Sequence, residues 1–138
     1  MAFSQYLATE ILEWMKNSAM PTQLSNVYIS IHSGDPGTAG SGSDVTTSVT
    51  GSANRTACAA SNLSGVSGAS GGGFEVTNVA SVQLTNGAAA GASISHFGIW
   101  DAASSGNFLA SGALTVSVDV VAGDTVQFNA GAMAIKVV

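Results

Sequence analysis

The chain has 138 residues, 46% of them apolar and only 8% charged, with three Lys or Arg against eight Asp or Glu and a net charge of −5. Gripping a phosphate backbone needs clustered cations, and Lys16, Arg55 and Lys136 are too few and too scattered, so nucleic acid is not an expected partner. Cys58 is the single cysteine, which rules out an intrachain disulfide and predicts a small buried thiol.

The length fits one domain over residues 1–138, enough to bury roughly two-thirds of its unfolded surface. An ordinary domain carries about 25% charged residues. A chain this poor in charge covers itself with Ser, Thr, Asn, Gly and Ala, or buries surface against neighbouring subunits. The composition therefore predicts an assembled protein.

The first element reads as a helix over approximately 4–17. Phe3, Leu7, Ile11 and Trp14 recur at spacings of four and three, on one face, with Ser4 placed to cap the N-terminus. Asn17-Ser18 and Pro21 end it. A helix this short is marginal alone, so its apolar stripe must dock on its own sheet or on another subunit. The segment lacks a basic leader, and Glu10 and Glu13 interrupt its apolar residues, so no signal peptide is expected. The uncharged run from 56 to 74 is rich in Gly and Ser and does not read as a membrane span.

After Pro21 the period changes to two. Val27, Ile29 and Ile31 alternate with Tyr28, Ser30 and His32, the pattern of a half-buried strand, and Ser33-Gly34-Asp35-Pro36-Gly37 ends it as a turn. Residues 38–43 read as a mobile loop. Strands are expected at 45–50, 55–61 and 74–84, with a Gly- and Ser-rich connection at 64–73. The stretch Ser95 to Leu114 reads as a hairpin turned by Asp, Ser, Gly and Asn. Its aromatics Phe97, Trp100 and Phe108 are the expected core of the domain, because large rings bury the most area. Its second strand continues to Val120, a turn at Ala122-Gly123-Asp124 leads into 126–128, Gly131 suggests a bulge, and 133–138 closes the chain. About eight short strands behind one N-terminal helix predict a mainly β fold, an antiparallel β-sandwich or jelly-roll-like barrel.

Chemistry is sparse. Gly68-Ala69-Ser70-Gly71-Gly72 matches the nucleophile-elbow pattern in form, but it lies in a low-complexity loop with no helix following. His32 and His96 each precede an acid, Asp35 and Asp101, by a few residues, yet they lack metal-ligand spacing and read as structural histidines. The 35–44 loop lacks the alternating oxygen ligands of a calcium site. The chain reads as non-enzymatic, with no catalytic, cofactor or metal residue to name.

The order of motifs carries a resemblance. Tyr6-Leu7 and Ile11-Leu12 in the helix precede Pro21-Thr22 and the string from Val27 to Gly37. Ala53-Asn54-Arg55 follows, then Ser95 to Ala102, Gly106 to Leu109, Gly112-Ala113-Leu114, Ala122 to Val126, and Ala130-Gly131. Together these resemble a family of small virion proteins of tailed bacteriophages, labelled tail-fibre-like or virion structural. Its members commonly place a Tyr-Ala-Arg-like triplet at Ala53-Asn54-Arg55, so the aromatic is missing here. The resemblance implies a β-rich structural subunit made in the host bacterial cytoplasm, without cofactor, catalytic residue, membrane or nucleic-acid partner.

Its first expected role is capsid decoration, as a cement protein on the outside of the head that bridges subunits of the major capsid protein. The alternative is a tail or tail-fibre adaptor or knob bound to tail proteins. A carbohydrate-binding module stacking on Trp100 or Tyr28 is the third. Self-association is expected, as a homotrimer by analogy with decoration proteins at threefold positions. Phe3, Leu7, Ile11 and Trp14 are the candidate assembly contacts.

Overall fold

The computed structural model describes residues 3–137. Helix α1 (Gln5–Met15) opens the chain, capped by Ser4, whose hydroxyl accepts from the Leu7 N–H at 2.9 Å. Its stop is a Schellman closure. The Ser18 N–H donates to Glu13 O and the Asn17 N–H to Trp14 O, with Asn17 in the left-handed region at φ 75°. Asn17 thus ends the helix four residues before Pro21.

Nine strands follow: β1 (Asn26–His32), β2 (Thr56–Ala59), β3 (Ser67–Gly68), β4 (Phe74–Thr77), β5 (Val82–Thr85), β6 (Ala92–Trp100), β7 (Phe108–Val120), β8 (Val126–Phe128) and β9 (Ala134–Val137). All pairings are antiparallel, in three sheets ordered β2-β1-β6-β7, β3-β4-β9 and β5-β8. The mainly β, antiparallel expectation is met, in open sheets and not a closed barrel. Ile29, Ile31, Ile94 and Phe97 of the large sheet share one core with Val82, Leu84, Val126 and Phe128 of the β5-β8 ribbon.

The β6–β7 hairpin is the longest element and knits the sheets together. Ile94 pairs with Val118 and His96 with Ala113, so residues 114–117 of β7 bulge opposite Ser95 alone. There β7 turns to the chain before β9, with a bridge from Leu114 to Met133 and the Thr115 N–H on Ala132 O.

Several strand expectations need correction. Residues 45–50 are not a strand but a short helix, α2 (Thr46–Thr50). Its β-branched residues favour strands, but tertiary bonds override that preference. β1 outruns β2, and the edge groups of Ile31 left free are taken up here: its N–H donates to Thr46 Oγ1 at 2.9 Å and its carbonyl accepts from the Val45 N–H. Asp44 Oδ1 caps the Thr46 N–H, Val49 is fully buried, and Gly51 closes the turn at φ 70°.

The span 74–84 is two strands because Asn78 interrupts it. That side chain is buried, donates to Ala80 O and Asn129 O, and accepts from the Met133 N–H. The 55–61 segment is strand only over Thr56–Ala59 and then turns as a 3₁₀ helix, Ala60–Asn62. The 64–73 connection holds the short β3, and Gly131 sits in the turn after β8 and not in a bulge within a strand.

Residues 38–43 form a pinned loop, not a mobile one. The Ser33 N–H donates to Ser43 O, the Gly42 N–H to Pro36 O, and Gly40, at φ 75°, lies flat against Phe108 and Trp100, where a Cβ would collide with both rings.

Candidate assembly surface

His32, Asp35 and Asp101 hold parts of the fold together. His32 is completely buried in β1, opposite His96 of β6. Its Nδ1 lies 2.7 Å from Gly42 O, an acceptor only, so Nδ1 carries the proton and Nε2 accepts from the Ser30 hydroxyl at 2.7 Å. Ser30 Oγ in turn accepts from Trp100 Nε1 at 2.9 Å. This chain of bonds ties the large sheet to the 33–44 loop. Burial holds the His32 pKa below its ordinary value, with the Gly42 carbonyl and Asp44 opposing and His96 and Arg55 adding to the drop.

His96 Nδ1 meets only its neighbour Ser95. Asp35 caps the Gly37 N–H, and Asp101 accepts from the backbone and side chain of Asn107 in the hairpin turn. Ser70 is exposed in the β3–β4 turn, a strand-to-strand turn and not an elbow. Cys58 is buried, and burial raises its thiol pKa against the opposing Asn62 amide, which leaves it a poor nucleophile. Among the described residues no three His, Cys, Asp or Glu gather as a metal site. No helix among them is long and apolar enough to cross a membrane.

The expected core aromatics divide. Phe97 is buried in the main core cluster, Phe108 is buried outside it, and Trp100, at the end of β6, is half-buried. Arg55 covers its ring at 3.6 Å from the centroid, and Phe108 lies 5.1 Å away. Trp100 therefore offers no open stacking platform for a sugar. The Arg55 guanidinium also donates to Ala102 O and Ser105 O, both at 2.9 Å, and so staples the hairpin turn. The sequence offered only one signal for this role: an arginine in a chain with almost no cations. The other two cations are also engaged, Lys16 with Glu13 and Lys136 with Glu75.

An apolar surface at the N-terminal end remains uncommitted among the described residues. The N-terminal segment docks on β7 through a bridge from Phe3 to Ala110 and the Ser4 N–H on Leu109 O. Phe3, Leu7 and Ile11 are consequently half-buried, while Trp14 is 57% exposed. The four candidate contacts are thus not equally exposed, and Trp14 projects into solvent. No residue of α1 is fully buried, and Leu12 and Met15 are 60% and 71% exposed.

Residues 17–25 continue this surface without regular structure, and Met20 and Leu24 remain exposed. Between them and the helix runs a groove of about 460 Å³, lined by Tyr6, Leu7, Met20, Pro21, Leu24 and Leu109 among others. Its rim is acidic: desolvation first, then Glu10 and Asp101, hold the Tyr6 phenol above its ordinary pKa. Such a surface can pack against protein.

Residues 2–136 match the family model described as Podophage GP4 fiber I protein gp80, and the chain belongs to that family. None of the curated proteins matches it.

Proposed function

We propose that this phage structural protein serves in the virion as a subunit of a tail-fibre assembly, acting by packing and not by catalysis. One observation carries the reading: the match to a podophage fibre family runs over nearly the whole chain. The spent histidines, carboxylates and thiol support a structural role, as does the exposed apolar end of α1. With no long repetitive segment for a shaft, the subunit suits an adaptor or knob, bound to other tail proteins. This reading takes precedence over decoration of the head through the major capsid protein, which the family description does not favour.

The test is location. Virions carrying a small epitope tag in the exposed 70–73 turn, labelled with antibody and imaged by cryo-electron microscopy, should show density at the tail. Density repeated over the capsid lattice would overturn the fibre assignment in favour of the cement role.

A further inference from the structure

We infer that the overhanging end of α1 is a self-association surface on which a second copy of this chain seats reciprocally, Trp14 of each copy entering the groove of the other. The inference stands independently of where the protein sits on the particle.

The helix wheel sets the argument. At 100° per residue, the apolar positions Trp14, Leu7, Ile11, Met15, Ala8 and Leu12 form an arc of about 160°. β7 supports the start of that arc, where Ser4 and Phe3 attach, but the last turn projects past the support. The stripe is longer than the surface its own domain provides.

Area selects the occupant. Leu12, Trp14, Met15, Met20 and Leu24 lie within thirteen residues and are 36% to 71% exposed. At roughly 200 Å² per large side chain, they leave about 540 Å² uncovered. Two copies placed face to face would remove about 1,100 Å² from water, just above the roughly 1,000 Å² that a specific interface must clear. The ions of the overhanging turn, Glu13 and Lys16, pair with each other at 3.2 Å, and Asp101 at the groove's rim accepts from the backbone and side chain of Asn107.

Shape points to a copy of the same chain. Trp14 lies seven residues from Leu7, so it projects in nearly the same direction, about 10 Å further along the axis. Leu7 lines the groove. Knob and hole therefore sit side by side on one face, the arrangement a two-fold, self-complementary contact requires. A groove of about 460 Å³ accommodates a bulky ring.

Sedimentation equilibrium of the full chain from 1 to 100 µM tests this. The wild type should associate towards twice its 13.6 kDa mass. Trp14→Ala, at the knob, and Leu24→Asp, at the groove, should each weaken association at least tenfold. Trp14 is 57% exposed, so far-UV circular dichroism and thermal midpoint of Trp14→Ala should stay unchanged, and the same two measurements on Leu24→Asp separate lost association from lost folding. A strict monomer at 100 µM overturns the inference, as does an oligomer indifferent to both substitutions. A trimer broken by both would also overturn the reciprocal two-fold seat.

Discussion

Ser30→Ala is the sharpest probe of what holds the β1–β6 centre. Ser30 is fully buried and serves two partners, accepting from Trp100 Nε1 at 2.9 Å and donating to His32 Nε2 at 2.7 Å. Alanine fits the space but removes both bonds, and the fully buried His32 has no water to turn to. Each polar group left unsatisfied costs about 1–3 kcal/mol, so the substitution should cost about 2–5 kcal/mol. For a domain of this size about 3 °C of melting temperature accompanies each kcal/mol, which predicts a fall of about 6–15 °C. Urea and thermal unfolding followed by circular dichroism measure both quantities. Ser117→Ala, on the exposed face of β7, should stay within about 0.5 kcal/mol of wild type. A loss below about 1 kcal/mol in Ser30→Ala would show that the bonded chain from Trp100 to Gly42 does not hold the loop, and the reasoning would fail.

The same site predicts a pH dependence. Burial lowers the His32 pKa in the folded state, so the unfolded chain gains a proton near its ordinary value of about 6.5 that the folded chain refuses. This stability is full above about pH 6.5 and is lost as pH falls towards the lowered folded value. Urea midpoints at pH 7.5, 6.5 and 5.5 should fall in that order, and His32→Gln should flatten the trend; a flat wild-type profile would contradict it. Asn78→Ala removes three bonds, including the cap on the buried Met133 N–H, and should cost about 3 kcal/mol or more in denaturant titration. Cys58 should resist a disulfide reagent in the native protein and react only as fast as the domain opens. Prompt native-state labelling would place the thiol at the surface.

Legibility in the sequence followed the range of the interactions involved. α1 was readable with its cap, because the apolar spacing and the Ser4 bond to Leu7 lie within a few residues. β1 and the hairpin were readable for a similar reason, since period-two alternation and turn residues are local signals. The 45–50 segment was misread because its helix depends on the free edge of Ile31, fifteen residues upstream of Thr46. Asn78 was invisible as a strand breaker for a like reason: its decisive bonds reach Asn129 and Met133, more than fifty residues away. Trp100 looked like core because large rings usually are. Only the fold brings Arg55 across its face and sets Ser30 beneath its Nε1.

By itself, then, the sequence determined the β-rich class, the N-terminal helix and the lack of cation clusters. These are properties of composition and short-range periodicity. The tertiary structure alone decided which apolar side chains are spent. Phe3, Leu7, Ile11 and Trp14 share a helical stripe in the sequence, yet three are half-buried and Trp14 is exposed. The docking point at Ser4 and Phe3 sets where the sheet ends beneath the helix, and a helical period carries no record of where its support stops.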